Sequence, residues 1–555
     1  MSESGSVTSL LDREVRHERR RERDGGSAST SRRRGPGWNP RRAWAIVVGL
    51  AIAWALWSAE AGPGSFNSRG WPLVQDFAAA AVSPDLSGDF LSVVADAVAV
   101  TVAYAVAGTA LSVVIGVIGG VLTSETWWRR DPQHRRGPGI GKGWWIARTI
   151  AAVPRGIHEA IWALFLLQIL GRDPMVAVLA IGIPFGAITA KVVAEFIDDA
   201  ARAPYDALRA AGAGRASAMA YALVPLVGSD VLSYGFYRLE CSLRSAVVLG
   251  MIGAGGLGFQ LALSFQTLRY EEIWTLVYAL VALSAVVDRW SATVRSRPTM
   301  RRRRTSLIVA LAGTAWAAWY LDLRPQTVLS ERTRSLAGDV VASAWPPRLP
   351  NGGWSTLWTA TVDTIVISII AIAVATALAW PLSFLAARSP DDRPVRMAVG
   401  VMARFVLLVT RSVPPPVWAL IVVFVVFPGP LAGGLALGVY TFGVLGRLDA
   451  EVIENADPAP GRILRMLGAS RVGAFGYGTV PVVAPRFVAL SLYRWEVAMR
   501  ETVIVGLVGA GGLGRILSQQ NAAFDRAGMV TTVLALVVLA LAVDLLSARM
   551  RADLR

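Results

Sequence analysis

Long apolar stretches alternate with polar connections along most of the 555-residue chain. Many of the stretches approach or exceed 20 residues, the length of helix that crosses the roughly 30 Å hydrocarbon core of a bilayer. Windows of apolar residues predict twelve spans, at 43–58, 91–122, 146–170, 174–196, 228–251, 273–292, 305–321, 360–387, 400–427, 431–454, 485–507 and 527–548. The pattern therefore predicts an all-α polytopic membrane protein.

The composition agrees with this prediction. Hydrophobic residues make up 54% of the chain and charged residues 17%, against about 25% charged residues in an ordinary soluble protein. The net charge of +16 would suggest a nucleic-acid partner in a soluble protein, but no basic segment has the interleaved aromatic residues or fold signature of such a site. We therefore expect a lipid bilayer, and no nucleic acid, as the surroundings of the chain.

The basic residues are grouped in alternate connections. The Arg-rich segment 1–42 is predicted to be a disordered tail, and further basic clusters lie at 129–142, 295–304 and 549–555. With the tail in the cytoplasm, every cluster falls on the cytoplasmic side, as the positive-inside rule requires. The prediction is a multi-pass protein of the plasma membrane with both termini cytoplasmic.

The first apolar run is open to a second interpretation. It is followed by Ala59-Glu60-Ala61, which is similar to a signal-peptidase site. About 42 mostly polar residues precede the run, far more than the usual basic segment of a signal peptide, which favours a retained membrane anchor.

The sequence contains an internal duplication. At a constant offset of 256, Arg155 to Leu164 overlays Arg411 to Leu420, and the register holds as far as Asp288 on Asp544; upstream the offset becomes about 263. We predict two repeats, 43–304 and 305–555, with six spans each. An even number of spans gives both repeats the same orientation, so they are parallel repeats with a pathway expected at their interface. A duplication without a shared pathway is the alternative.

A glycine-rich run occurs in both repeats. Its glycines are Gly253, Gly255, Gly256 and Gly258 in the first repeat and Gly509, Gly511, Gly512 and Gly514 in the second. Each run matches the dinucleotide fingerprint G-x-G-x-x-G, but that motif needs a strand before it and a helix after it. Here each run ends a membrane-length apolar stretch. A helix break that serves as a gate or re-entrant turn is the favoured interpretation.

An ionisable set recurs in the fifth span of each repeat: Arg238, Glu240 and Arg244, and Arg494, Glu496 and Arg500. The first arginine of each set is predicted to lie roughly 15 Å deep, where insertion costs about 2.5–3.5 kcal/mol, so it should face protein or water. The glutamate and second arginine are four residues apart and can pair. A structural ion pair is one interpretation, and a water-lined path in which Arg238 and Arg494 attract an anion is the other.

Three more ionisable residues are candidates for the pathway. Arg155, Glu159 and Arg411 are expected near a boundary of the membrane, where anchoring and a pathway role are both open. The chain has one cysteine, Cys241, and three histidines, so we expect no disulfide, no metal site and no catalytic residue.

The connections at 197–227 and 455–484 each contain a short amphipathic pattern. Proline stands near its start and glycine near its end, as helix boundaries prefer. Gly212 and Gly468 are each followed thirteen residues later by a proline, Pro225 and Pro481. A helix on the cytoplasmic face is well placed to bind in the groove of a partner protein.

This connection resembles the coupling loop of ABC-importer permeases. In the first repeat Asp206-Ala207-Leu208 takes the place of the family's Glu-Ala-Ala, whereas the second repeat departs from it with Arg462-Ile463-Leu464. The Tyr-Arg-x-Glu-x-x-x-Arg run that leads into Gly-Ala-Gly-Gly-Leu-Gly is similar to the phosphonate permease of that superfamily.

The resemblance implies the type I ABC-importer permease fold, twice in one chain. It implies transport of phosphonate or a phosphate-like oxyanion by alternating access, a separate cytoplasmic ATPase in two copies that uses Mg-ATP, an extracytoplasmic substrate-binding protein, and no cofactor in this chain. The residues implied to couple to the ATPase are Asp206, Ala207, Gly212, Pro225, Arg462, Gly468 and Pro481. The departure in the second repeat suggests that one coupling helix binds its ATPase more weakly.

Other functions remain open at this stage. A related ABC permease for methionine or a betaine is the nearest alternative, although a cationic solute would favour aromatic boxes or acidic residues over paired arginines. An ion-coupled secondary transporter should hold unpaired carboxylates at the midplane, and a membrane-embedded enzyme should hold clustered His, Cys or Asp. Neither pattern is evident in the sequence.

Overall fold

The structure is a computed structural model that describes residues 40–128, 142–296, 300–388 and 394–554. The predicted basic tail lies almost entirely outside the described residues, as do Arg129, Arg130, Arg135 and Arg136. Within the described ranges the regular secondary structure is helical, apart from an isolated bridge between Phe66 and Val426.

The first repeat contributes twelve α-helices among the described residues. They are α1 (Pro40–Ser58), α2 (Trp71–Ala79), α3 (Gly88–Thr123), α4 (Glu125–Trp128), α5 (Lys142–Gly156), α6 (Glu159–Leu170), α7 (Met175–Asp199), α8 (Ala203–Ala210), α9 (Arg215–Ala218), α10 (Val224–Leu249), α11 (Gly256–Gln266) and α12 (Tyr270–Ser296). A π-helical turn, Met219–Leu223, joins α9 to α10.

The second repeat contributes a matching set. It consists of α13 (Met300–Tyr320), α14 (Pro325–Leu329), α15 (Glu331–Ala344), α16 (Gly353–Ala386), α17 (Pro394–Ser412), α18 (Pro415–Val425), α19 (Pro430–Glu454), α20 (Ala459–Met466), α21 (Arg471–Ala474), α22 (Val480–Leu507), α23 (Gly512–Ala522) and α24 (Arg526–Leu554). The π-helical turn Phe475–Thr479 joins α21 to α22.

Each of the twelve predicted spans coincides with a helix or a pair of helices. Among the described residues, eight helical runs are long and apolar enough to cross a membrane, or up to ten if each bent pair counts as one span. The two remaining predicted spans fall on α1 and α13. The all-α polytopic fold is therefore confirmed.

The third and ninth predicted spans are not continuous helices. α5 and α6 are bent by 87° to each other, and α17 and α18 by 98°. In the first repeat His158 caps α6, because its Nδ1 accepts a hydrogen bond from the Ala160 amide at 3.2 Å. In the second, Pro415 is the first residue of α18, a position that suits proline because its missing N–H would be unsatisfied there anyway. Each of the predicted spans at 146–170 and 400–427 is therefore a bent pair of helices, which is either one broken span or a re-entrant loop.

The fifth and eleventh spans are longer than predicted. Helical structure is continuous over Arg215–Ala254 and Val472–Leu507. Pro225 and Pro481 accordingly lie inside these runs and not in the connections. A π-helical turn precedes each proline, and such a turn relaxes the hydrogen-bond ladder that a residue without an N–H interrupts.

The helices form two compact units. One contains the described residues within 76–348 and 523–533, and the other those within 1–75, 349–522 and 534–555. In each unit two long helices pack along a seam that requires a small residue: a Cβ added to Gly108 of α3 would lie 2.8 Å from Ile181 of α7, and one added to Gly434 of α19 would lie 2.7 Å from Ile370 of α16.

The first helix of each predicted repeat packs in the unit formed mainly by the other repeat. Ala317 of α13 is fully buried in a cluster with Tyr104 and Ile181, and Ala55 of α1 is fully buried in a cluster with Val366. The repeat boundary between 304 and 305 remains a prediction from sequence similarity, because packing groups the helices in a different way from chain order.

Candidate functional site

The ionisable residues of the first repeat lie on α10, near the middle of a 40-residue helical run. Arg238 is 6% exposed and Glu240 7%. The Arg238 guanidinium carbon lies 4.3 Å from the centre of the Phe185 ring and 5.5 Å from that of Tyr234. Aromatic faces attract a cation, so these rings help to hold the arginine inside the protein.

Three further polar contacts lie around the ionisable set of α10. Nη2 of Arg244 lies 3.4 Å from Oε1 of Glu240, so the predicted pairing of residues four apart is present. The Ser245 hydroxyl donates a hydrogen bond to Glu159 of α6 at 2.6 Å. His158 Nδ1 lies 3.3 Å from the other oxygen of the Glu159 carboxylate. Glu159 thereby connects the bend between α5 and α6 to the helix that carries the ionisable set.

The second repeat arranges its charges differently. Arg494 of α22 is 7% exposed and lies 3.4 Å from Glu501, two turns along the same helix. This pair, seven residues apart, was not among the pairs expected from four-residue spacing. Glu496, 9% exposed, pairs with Arg551 of α24. Arg551 was predicted only as one of the basic residues at the C-terminus.

Arg155 and Arg411 occupy the ends of the helices that precede the two bends. Arg155 is half-buried in the last turn of α5, and Arg411 is 9% exposed in the last turn of α17. In this conformation the set Arg238, Glu240, Arg494, Glu496 and Arg411 lies in packed protein. The participation of these residues in a water-lined path stays a prediction.

The glycine-rich runs break the helix as predicted. Positive φ values occur at Gly253, Gly255, Gly256, Gly509, Gly511 and Gly512, a conformation that strongly favours glycine. Each break turns the chain from the long helix into a short one, α11 or α23. Gly258 and Gly514 serve close packing instead, because an added Cβ would lie 1.8 Å from the Val247 carbonyl oxygen or 2.5 Å from that of Val503.

One threonine in each repeat caps the short helix after the break. The Leu257 amide donates to the Thr101 hydroxyl at 2.9 Å, and the Leu513 amide donates to Thr364 at the same distance. Both hydroxyls also donate to a carbonyl within their own helix. The glycine-rich turns are thus fixed to α3 and α16 by equivalent hydrogen bonds.

The two short helices in the connections at 197–227 and 455–484 share one C-terminal geometry. Gly212 after α8 has φ +90° and Gly468 after α20 has φ +87°. The Ala213 amide donates to the Leu208 carbonyl and the Ala469 amide to that of Leu464, both at 3.0 Å. A left-handed glycine with this hydrogen bond is a common helix terminus, so both helices stop at a defined residue.

The side chains of these two helices differ. Asp206 is half-buried, and Ala207 and Arg462 are exposed. Tyr205 is 6% exposed, and burial raises the pKa of its phenol. Tyr205 therefore fixes α8 to the protein, whereas the equivalent position on α20 is Gly461.

A further ionisable residue, Asp449, was also missed. Asp449 of α19 is fully buried, and neither carboxylate oxygen has a hydrogen-bond partner among the described residues. At the offset of 256 its counterpart is Val193, 2% exposed. The alignment of the two repeats could have revealed Asp449. A valine at the equivalent position of the first repeat indicates that the aspartate of the second repeat lies at a buried position.

These features define the class of the protein. It is a multi-pass membrane protein built from two repeats, each with a buried ionisable helix, a glycine-rich helix break and a capped amphipathic helix between long apolar helices.

The chain belongs to the family described as the binding-protein-dependent transport system inner membrane component, which it matches twice, over residues 141–294 and 379–555. It is 30% identical to the "Phosphate-import permease protein PhnE" of Mycolicibacterium smegmatis over 71% of this chain and 76% of the relative. It is 34% identical to the "Phosphite transport system permease protein PtxC" of Stutzerimonas stutzeri, over 40% of this chain and 80% of the relative. A third relative, the "Putative cryptic phosphonate transport system permease protein PhnE2" of Escherichia coli, is 36% identical over 21% of this chain and 96% of its own length. The double match confirms the duplication and the resemblance to ABC-importer permeases.

Proposed function

We propose that this chain is the permease subunit of an ATP-driven importer that moves a phosphorus oxyanion, with phosphonate as the first candidate, across the plasma membrane. The observation that carries the proposal is the paired coupling geometry: each repeat places a short helix with a left-handed glycine end between two membrane-length helices. The names of the relatives, which specify phosphate, phosphite and phosphonate permeases, support the substrate class.

The partners follow from this assignment. An importer of this family works with an ATPase and a substrate-binding protein; we infer two copies of a cytoplasmic ATPase, one at α8 and one at α20, and an extracytoplasmic binding protein. Mg-ATP is hydrolysed in the ATPase, so this chain needs no cofactor of its own. Both termini are placed in the cytoplasm because the basic clusters then all lie on that side.

Alternating access gives the mechanism. Closure of the ATPase pair pushes on α8 and α20, and the push is transmitted to α10 and α22, which follow them in the chain. Arg238 and Arg494 lie on these helices and are buried in this conformation. We propose that movement of the helices exposes these arginines to the oxyanion, because a planar guanidinium can donate two hydrogen bonds to it. The glycine-rich breaks are the proposed gate.

Substitutions at the glycine ends of α8 and α20 test the coupling of ATP hydrolysis to uptake. Gly212→Val and Gly468→Val each place a β-branched residue at a φ near +90°, which is strained for that side chain. We expect ATP hydrolysis without uptake in proteoliposomes that contain the permease, the ATPase and the binding protein. Gly212→Asn and Gly468→Asn are the matched controls, since asparagine tolerates positive φ better, and they should retain most uptake. Full uptake in both valine variants would overturn the coupling role.

The arginines test the pathway. Arg238→Gln combined with Arg494→Gln should abolish phosphonate uptake while the complex still assembles on a sizing column. Lys191→Gln, which removes a cation from a side chain 56% exposed, is the control and should transport normally. Normal uptake by the double variant would leave only the structural interpretation of these arginines.

A further inference from the structure

The two coupling helices present different surfaces to the cytoplasm. On α20 and the residue that follows it, three large apolar side chains are exposed: Ile463 at 55%, Met466 at 84% and Leu467 at 78%. Positions spaced by three and four residues lie on one face of a helix. Leu464, between them in sequence, is half-buried. The three side chains therefore form one outward apolar face, which we call the α20 face.

The equivalent face in the first repeat has none of these side chains. At the offset of 256 the three positions are Ala207, Ala210 and Ala211, all exposed. At these three positions a partner that covers α8 meets methyl groups only, whereas one that covers α20 can bury three large side chains. Because buried apolar area is the main source of association free energy, the two faces differ in the binding they can support.

The surroundings of the α20 face favour a protein over lipid as its occupant. The face lies outside the apolar runs that could cross the membrane, which end at Glu454 and resume at Val472. Arg462 and Arg465 are exposed beside it, and apolar anchors with a polar rim that includes arginine are typical of protein interfaces.

Spacing of the three side chains also fits a groove. An amphipathic helix that binds in a groove uses anchors at positions i, i+3 and i+4, which is the spacing of Ile463, Met466 and Leu467. Gly468 ends the helix directly after the last anchor with φ +87°. The anchors are thus presented at the end of a helix whose terminus is fixed.

From these observations we infer that the α20 face is the principal attachment site for the ATPase, and that α8 is the weaker, more readily released contact. This inference rests on the proposed function, because it assigns unequal roles to the two coupling helices of an ATP-driven importer. The departure from the family pattern at Arg462-Ile463-Leu464 then marks a stronger attachment and not a weaker one.

The test exchanges the two faces. Ile463→Ala/Met466→Ala/Leu467→Ala gives α20 the residues of α8, and Ala207→Ile/Ala210→Met/Ala211→Leu gives α8 those of α20. The probe is the purified partner ATPase of the importer, titrated against the permease in nanodiscs. We expect the alanine variant to bind the ATPase at least about tenfold more weakly and the reciprocal variant to bind it more tightly than wild type. All six positions are exposed, so unchanged thermal unfolding should accompany both sets.

Three other results would each overturn either the inference or the proposed function. Equal affinity of the alanine variant and wild type for the ATPase would overturn the inference and leave the proposed function in place. Unchanged ATPase affinity of the alanine variant, together with loss of the stabilisation that anionic nanodisc lipid gives the full wild-type chain in thermal unfolding, would assign the face to lipid and also overturn the inference. Failure of the wild-type chain to bind the ATPase at all would overturn the proposed function itself.

Discussion

The two repeats differ in where they keep a buried carboxylate beside the ionisable helix. In the first repeat Glu159 of α6 accepts a hydrogen bond from Ser245 of α10. At the offset of 256, Ser245 corresponds to Glu501, and Glu159 corresponds to Pro415. The second repeat therefore places its carboxylate on α22 itself, at the position that Glu159 reaches from the neighbouring helix.

The different placement of this carboxylate shows which property the repeats share. Both have a carboxylate at this level of the ionisable helix, but only the first uses it to connect that helix to α6. In the second repeat the carboxylate pairs with Arg494 of the same helix, and a proline begins α18 instead. The charge is common to both copies, and the connection between helices is not.

The largest expected effect comes from removal of the second-repeat carboxylate. Glu501→Ser leaves Arg494, whose side chain is 8% exposed, without this partner, and breaking a buried ion pair costs about 3–5 kcal/mol. The free energy of unfolding in mild detergent should fall by that order. Glu195→Ser, at a side chain 48% exposed, is the control and should change it by less than about 1 kcal/mol.

A rescue variant tests whether the carboxylates of the two repeats occupy equivalent places. Pro415→Glu combined with Glu501→Ser gives the second repeat the residues of the first, and it should recover a large part of the lost stability. No recovery would show that the two carboxylates do not occupy equivalent places.

A smaller effect of opposite sign is expected at Asp449. Asp449→Val installs the residue of the first repeat and removes a buried carboxyl group without hydrogen-bond partners among the described residues, a group that costs about 1–3 kcal/mol. The free energy of unfolding should rise by that amount, whereas Val193→Asp should lower it. Destabilisation by Asp449→Val would indicate that the carboxyl group has a partner that this conformation does not display.

The smallest effect should be the same in both repeats. Thr101→Val and Thr364→Val each remove the acceptor of a leucine amide at the glycine-rich turn, and each should lower the stability by about 1 kcal/mol. Thr101→Ser and Thr364→Ser keep the hydroxyl and are the controls. Unequal losses, measured by thermal unfolding, would show that the two turns are not equivalent.

Much of the fold was predictable because apolar length and the 256-residue offset are properties of the sequence itself. The bends after Gly156 and Ser412 were not found from the windows of apolar residues, because hydropathy carries no information on the direction of a helix axis. A search for residues that favour a helix N-terminus could have located both bends from the capping His158 and from Pro414-Pro415-Pro416.

The candidate site was predicted less completely. The pair Glu240 and Arg244 follows from helical spacing, and Glu501 was within reach of the same reasoning at seven residues from Arg494. Arg551 lies 55 residues beyond Glu496, and only packing brings them together. The exchange of α1 and α13 between the compact units is likewise a result of packing that no periodicity encodes.

Substrate uptake tests the central claim most directly. Proteoliposomes that contain this chain with its partner ATPase and binding protein would be loaded with Mg-ATP and given labelled phosphonate, phosphite, phosphate, methionine or glycine betaine. We expect accumulation of a phosphorus oxyanion only with ATP, and none with a proton gradient alone. Uptake of methionine or betaine without any oxyanion, or uptake driven by the gradient in the absence of ATP, would contradict it.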